Sequence, residues 1–342
     1  MKISVIIPCY NCENTIKITL DSILEQASSD VEIVCVNDGS KDKTANILSE
    51  YSDRIKCIHQ ENSGVSIARN NGVKHASGEW VAFCDADDIW HKDKLRILLQ
   101  AINSVSDVDF IFHDFYILLN GEILEKCATH SKNTFFPIFS QWNITIPDIL
   151  TGHKQIDISN IESEWDSMNL HFGNAFYWLI MGNFVLPSSV AIRRTAFLGQ
   201  NGFTDEFIYA EDTEFFLRIS KQVNFMYIDL PLVGYRRTTT SLLSTSMLQT
   251  MENGIRSIYK NCVEDEAIYK QYKDRIDSSL AKKYARLAYF HLSESRNREA
   301  LKLASKALKL NIREKLAWIT LFFSFTPIKI LNLIRGIRNK FK

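Results

Sequence analysis

Along the first 115 residues, short stretches that are apolar almost throughout alternate with longer ones whose apolar positions recur every three or four residues. ISVIIPCYN (3–11), VEIVCVNDGS (31–40), IKCIHQ (55–60) and WVAFCDADD (80–88) are of the first kind and predict strands ending in polar residues. NTIKITLDSILEQA (14–27), KDKTANILSEY (41–51) and GVSIARNNGVKHAS (64–77) are of the second kind and predict helices. In the first helix Ile16, Leu20, Ile23 and Leu24 share a face, and Asn14 is placed to cap it. Strands apolar along their whole length, separated by helices, predict an α/β fold whose mostly parallel sheet is covered by helices on both faces. Right-handed crossovers then bring the carboxyl ends of these strands to one edge.

After VDFIFHDFYIL (108–118) the rhythm is lost. Residues 120–185 are aromatic-rich and irregular, as in FFPIFSQW and NAFYWLIMGNF, and read as an insertion shaping a specificity surface. Trp165, Phe172, Phe176, Tyr177 and Trp178 could stack on sugar rings or simply fill the core. Regular patterning returns in SSVAIRRTAFLGQNGF, in YAEDTEFFLRISKQ and in a short strand, FMYIDLPLVGYRR (225–237). Beyond about residue 245 the pattern is helical, and 282–311 reads as a helical hairpin of the tetratricopeptide type. A solenoid needs several such units, so a helical cap on the preceding domain is the simpler reading. The expected division is 1–115, 116–245 and 246–342.

Composition adds limits. The 342 residues are 46% hydrophobic and 23% charged with zero formal net charge, which suits a globular protein and gives no bulk field for nucleic acid. The strand-like pattern begins almost at the first residue, leaving no room for a secretory leader. Seven scattered cysteines read as reduced thiols of a cytoplasmic protein. No apolar stretch reaches the roughly 20 residues that span a bilayer. From Lys315 onward, however, Lys329, Arg335, Arg338, Lys340 and Lys342 follow with no acid. A segment of this kind, rich in aromatics and aliphatics, predicts attachment to an anionic membrane surface.

Chemistry concentrates at the strand ends. Strand one ends in Pro8, Tyr10 and Asn11, strand two in Asn37-Asp38-Gly39-Ser40, and strand four in Asp85, Asp87 and Asp88. Ligands of open α/β sheets lie at this edge. Three clustered carboxylates repel unless a cation compensates them, and oxygen-only ligands suit Mg²⁺ or Mn²⁺ completed by substrate phosphates. An EF-hand is excluded, since Trp90 stands where that loop needs its sixth-position glycine. One of the three, Asp88, is expected to cap the following helix.

SVIIPCYN, VNDGSKDKT, GVSIARNNGVKHASGEWVAFCDADD and AEDTEFFLR together resemble the family 2 glycosyltransferases of the GT-A type, over roughly residues 1–240. The resemblance implies a nucleotide-binding Rossmann-like sandwich joined to an acceptor-binding half. It also implies inverting transfer of a hexosyl or N-acetylhexosaminyl group from a UDP-sugar, or another nucleotide-diphosphate sugar, to a glycan hydroxyl. Pro8, Tyr10, Asp38, Arg69 and Asp85 would meet the nucleotide, and Asp87 would hold Mg²⁺ or Mn²⁺. Asp212 of the Glu211-Asp212 pair would act as general base, and Tyr235-Arg236 would lie near a segment closing over the diphosphate. The basic tail suits a polyprenyl-diphosphate-linked acceptor in surface-polysaccharide synthesis, with the protein peripheral on the inner face of the plasma membrane.

Three competing readings stand beside this one. The first is a nucleotidyltransferase on a similar sandwich, which needs no base near its acceptor. The second is redox chemistry at the C-x-x-C of Cys9 and Cys12. The third is a non-catalytic scaffold using the C-terminal helices.

Overall fold

The computed structural model describes residues 2–119, 121–125, 136–142, 144–160, 163–237 and 247–325. The chain divides into two compact units, Met1–Ser241 and Leu242–Lys342.

The first unit opens with the expected alternation: β1 (Ile3–Cys9), α1 (Ile16–Leu24), β2 (Val31–Asp38), α2 (Thr44–Ser49), β3 (Lys56–Gln60), α3 (Val65–His75) and β4 (Trp80–Phe83). It continues with β5 (Ile89–Trp90), α4 (Lys94–Ser104), β6 (Phe110–Leu119), β7 (Glu122–Glu125), α5 (Pro137–Trp142), α6 (Ile146–Ile149), β8 (Gly152–Asp157), β9 (Ser167–Gly173) and α7 (Phe176–Leu179). A 3₁₀ turn at Pro187–Ser189 leads into β10 (Ala191–Arg193), α8 (Arg194–Gly199), α9 (Glu211–Ile219) and β11 (Phe225–Arg237).

The strands form one sheet of order β3-β2-β1-β4-β10-β6-β11-β9-β8, with β5 added to β11 and β7 to β6. β1 lies parallel between β2 and β4, with Ile3 opposite Val31 on one side and Trp80 on the other. Val5, Ile6 and Ile7 are wholly buried there, which is why the strand is apolar at consecutive positions. Full burial of each such side chain contributes about 1.5–3 kcal/mol. α3 lies so close to this strand pair that a Cβ on Gly72 would stand 2.5 Å from Ile6 Cγ2. β10 is antiparallel to both β4 and β6, and β11 is parallel to β6. The ends of β1, β2, β4, β6 and β11 therefore share one edge.

The structure corrects several local expectations. The N-cap of α1 is Thr15 rather than Asn14, and it makes no side-chain capping bond. Asp88 does not cap α4, whose N-cap is Asp93. β11 spans all 13 residues of the stretch FMYIDLPLVGYRR in which a strand was expected. Its register shifts on either side of Pro231, the bulge that lets a proline sit in an interior strand. The irregular stretch contains the hairpin β8–β9, which extends the sheet beyond β11. β6 runs through the division expected between residues 115 and 116.

The second unit is helical: α10 (Met247–Ile258), a π-turn at Tyr259–Val263, α11 (Glu266–Ser293), α12 (Asn297–Leu310) and α13 (Lys315–Ser324). α11 and α12 form a helix pair over the stretch read as a hairpin. Ala300, Ala304 and Ala307 are fully buried along one side of α12, where small side chains let helices approach. No helix among the described residues is long and apolar enough to cross a membrane.

Candidate active site

The loops beyond β1 and β2 are stitched together. Asn11, in the left-handed region at φ 48°, donates its N–H to Ser40 Oγ at 3.1 Å and accepts from Lys41 N at 2.8 Å. Gly39, at φ +70°, passes so near Asn62 that a Cβ would lie 2.7 Å from its nitrogen. Asp38 is buried, and its carboxylate accepts from Gln60 Nε2 at 2.7 Å, Ser63 N at 2.8 Å and Gly64 N at 2.8 Å. It thereby fixes the loop entering α3. Pro8 is half-buried opposite Val36, and Tyr10 is 49% exposed at the rim.

Arg69, on α3, is the centre of the site. Its side chain is 3% exposed; Nη2 donates to Asp85 Oδ1 at 2.7 Å and Nη1 to Glu211 Oε1 at 2.9 Å. One guanidinium thus joins the turn after β4 to the start of α9. Asp85 and Glu211 hold its charge above the usual arginine range even though burial opposes it. The geometry is supported from below. Asn70 donates to Phe203 O at 2.6 Å and accepts from Phe203 N at 2.9 Å, pinning the loop before α9 to α3. Phe83, Phe197, Phe203 and Phe215 pack ring against ring in the same place, and Arg69 lies 5.3 Å above the Phe203 ring.

The turn after β4 separates its three acids. Asp85 is tied to Arg69, and its N–H donates to Ser188 Oγ at 2.9 Å. Asp88 is fully buried and accepts from Arg236 N at 3.1 Å, holding the end of β11 against the turn. β5 reinforces that contact, with Trp90 opposite Val233 and Ile89 opposite Gly234. Asp87 is half-buried, and its carboxylate takes a hydrogen bond from its own backbone N–H rather than an ion pair. Burial and the neighbouring Asp85 push its carboxyl up to about 6, against the pull of Arg236. Asp87 is thus the carboxylate of the turn left to take a cation. No group of three His, Cys, Asp or Glu that could cage a metal occurs among the described residues. A divalent ion sharing one carboxylate with substrate phosphates fits this donor set, and an all-protein metal site does not.

Glu211 and Asp212 begin α9, whose N-cap Ala210 is left-handed at φ 64°. Burial and Asp212 push Glu211 up to about 7 despite Arg69. Burial also raises Asp212, although Thr213 N donates to its Oδ1 at 2.6 Å. Asn183 Nδ2 donates to Asp212 Oδ2 at 3.1 Å. Asn183 itself is braced, its Oδ1 accepting from Val185 N at 3.0 Å. Tyr235 and Arg236 close the group on β11, opposite Ile117 and Leu118. Residues 238–246, which follow them, lie outside the described residues.

The structure thus brings Arg69, Asp85, Asp87, Glu211, Asp212 and Arg236 to one edge, with Pro8, Tyr10 and Asp38 on the adjoining strand ends. Sequence reasoning missed Asn183 and Ser188, for which a lone polar residue within apolar MGNFVLPSS is the only available sign. The thiols of the C-x-x-C are both free; Cys9 is wholly buried, and its hydrogen bonds with Cys12 and Cys35 push it well up. Among the aromatics singled out, Phe176 is core and Tyr177 is exposed, while Trp165 packs on His91 with centroids 4.7 Å apart.

Comparison with known proteins adds an independent line. Residues 4–154 match the model of the family described as Glycosyl transferase family 2. The UDP-Glc:alpha-D-GlcNAc-diphosphoundecaprenol beta-1,3-glucosyltransferase WfgD of Escherichia coli is 35% identical over 135 residues, covering 39% of this chain and 53% of WfgD. The chain spans about 15% to 53% of the length of the first curated relatives it matches. Among solved structures, S. aureus TarS 1–349 superposes with a TM-score of 0.59 at 18% identity, over 95% of this chain and 89% of that one. The mannosyltransferase PcManGT from Pyrobaculum calidifontis, in complex with GDP-Man and Mn²⁺, gives 0.56 at 16% identity, over 98% and 84%. At such identities the superpositions speak for the fold alone. The chain therefore carries, over residues 4–154, a glycosyl transferase family 2 domain, set in a sheet of the GT-A type.

Proposed function

We propose that this chain is an inverting glycosyltransferase that moves a hexosyl or N-acetylhexosaminyl group from a nucleotide-diphosphate sugar, best a UDP-sugar, to a hydroxyl of a glycan acceptor. The observation that carries the reading is the Arg69 bridge, which sets Asp85 of the first acidic cluster and Glu211 of the second against one guanidinium. A donor-side group of acids and an acceptor-side group then face the same space. TarS has been solved in complex with UDP-GlcNAc, and WfgD is named for an undecaprenol-diphosphate acceptor. These two support a UDP-sugar donor and a lipid-linked acceptor here.

In the reaction, the bond from the anomeric carbon to the diphosphate oxygen breaks, and its electron pair leaves with the diphosphate. The acceptor oxygen bonds to the opposite face of that carbon, and its proton passes to Asp212, ionised at the start of α9 where the helix dipole favours negative charge. Asp87 would hold a divalent ion, Mg²⁺ or Mn²⁺, which when bound would supply charge neutralisation for the leaving group. Arg236 adds positive charge beside it. A carboxylate offers about four acceptor positions, and three on Asp38 are filled by the chain, so one remains for the base. Pro8 and Tyr10 flank that pocket. The basic tail brings the protein to the membrane that presents the acceptor. Nucleotidyl transfer is disfavoured, since it leaves Asp212 without a role.

Calorimetry with UDP-sugars, with and without Mn²⁺, tests the reading: uptake is expected only with the ion, and an intact protein that takes up no sugar nucleotide under either condition overturns it.

Two further outcomes follow from the geometry. The pair Glu211–Asp212 holds its protons more tightly than free carboxyls, with Glu211 pushed up to about 7. A base must be ionised to accept a proton, so kcat should fall on the acid side of neutrality as the pair takes up protons, with an apparent pKa that belongs to the pair and lies above that of a free carboxyl. A rate independent of pH between about 5 and 8 would remove the pair from the chemistry. Asn183→Ala deletes a hydrogen bond to a charged group, about 1.5–3 kcal/mol, so kcat should fall roughly tenfold or more while the donor KM stays unchanged. A change confined to KM would place Asn183 elsewhere.

A further inference from the structure

α13 is built inside out. Its inward side carries Ala317 and Thr320, both fully buried, while Trp318 and Ile319 are each 48% exposed, Phe322 72% and Phe325, just past its end, 73%. With Lys315, these exposed residues fall at i, i+3, i+4, i+7 and i+10, a stripe about 120° wide at 3.6 residues per turn. A helix on the surface of a globular protein ordinarily turns its polar side outward. Here the hydroxyls face inward and are satisfied within the helix, Thr320 Oγ donating to Leu316 O at 2.8 Å and Ser324 Oγ to Thr320 O at 2.7 Å. The indole of Trp318 is pinned outward by its Nε1–H, which donates to Ile312 O at 2.8 Å, and Ile312 is itself 62% exposed.

An exposed apolar stripe of this size calls for a partner. The charge around it selects which one. Arg313 and Lys315 flank the start of α13, and every charged residue from 315 to 342 is basic. A protein surface or a second copy of this chain would not call for cations alone, whereas a bilayer bearing anionic lipid meets both properties. A helix of 10 residues is about 15 Å long, half the roughly 30 Å hydrocarbon core, so it would lie along the surface rather than cross it.

We infer that α13 is the element that enters the lipid interface, with Trp318, Ile319, Phe322 and Phe325 among the acyl chains and the flanking cations at the phosphates. This deepens the membrane attachment proposed above and rests on it. The test is co-sedimentation of the full chain with phosphatidylcholine vesicles, with and without phosphatidylglycerol. Three proteins are compared: the unaltered chain, the double variant Trp318→Ser with Phe322→Ser, and a chain lacking 326–342. The replaced side chains are 48% and 72% exposed, and the one hydrogen bond lost, from Trp318 Nε1 to Ile312 O, is at the surface, so the double variant's melting temperature should fall by only a few degrees. Its binding to the anionic vesicles should weaken by about tenfold or more. If it binds as the unaltered chain does while the truncated chain does not, the attachment stands and the role of α13 is overturned. If the unaltered chain binds neither vesicle, both are overturned. A unaltered chain that is dimeric and ignores vesicles, with a monomeric double variant, would assign the face to a second copy and overturn the inference.

Discussion

Replacing Asp212 by asparagine is expected to lower kcat by about 10²–10⁴-fold, the usual contribution of a positioned general base, while donor binding stays unchanged. The variant should fold normally. An asparagine oxygen can still accept from Thr213 N, and the opposing Asn183 amide can fall back on Val185, to whose carbonyl it already donates at 3.1 Å. The acid is held by three hydrogen bonds, from Asn183 Nδ2 and from the N–H and hydroxyl of Thr213, and lies beside Arg69 without pairing to it, so losing its charge leaves no buried partner stranded. Single-turnover transfer from a UDP-sugar, with donor affinity measured separately by calorimetry, separates the two effects. Near-normal turnover in this variant would remove Asp212 from the proposed role, and lost donor affinity would move it to the donor side.

Replacing Arg69 by leucine should be costly in a different currency, stability and activity together. The side chain is 3% exposed and serves two carboxylates. Removing one partner of a buried ionic group costs about 3–5 kcal/mol, because the Glu211 charge, 13% exposed, is left with little water to replace its partner. Glu211, already pushed up to about 7 beside Arg69, would then bind its proton at higher pH than the unfolded chain does. That uptake makes the folded state lose stability as pH rises, so the variant's deficit in denaturant melts should be larger near pH 8 than near pH 5, as about neutral carboxyls need no counter-ion. Arg69→Lys should fall between, since an ammonium lacks the planar fork that reaches both acids. A leucine variant with an unchanged midpoint at both pH values would mean the bridge does not form.

The sequence made much of this arrangement readable because two signals coincided. β1, β2 and β4 are buried on both faces over most of their length, so they are apolar at nearly every position, Ser4 and Glu32 apart, and give way to polar residues at Asn11, Asp38 and Asp85. Polar residues at such ends have few structural reasons to be there. What stayed hidden was set by tertiary contact. β8 is an edge strand whose GHKQID carries little apolar periodicity, so its existence depends on β9 beside it. β5 has two residues and is defined only by its pairing with β11. Asp88 had a plausible local role as a cap, yet its actual partner, the N–H of Arg236, is 148 residues away. Asn183 and Ser188 orient acids encoded elsewhere, and no pattern within their own segment says so. Arg69 was legible as a site residue; its two-acid grip was not.

The crossing of β10 between β4 and β6 has a consequence for how such proteins diversify. Everything from the end of β6 to the start of β10 is one long excursion, which adds β7, β8 and β9 to the sheet and returns beside its point of departure. Recombination could exchange that excursion between cousins as a cassette, altering which saccharide is greeted while the phosphate-handling floor is inherited whole. The tether from Asn183 to Asp212 sets the condition: a donated cassette must bring its own amide to that acid, or the graft will fold and stay silent.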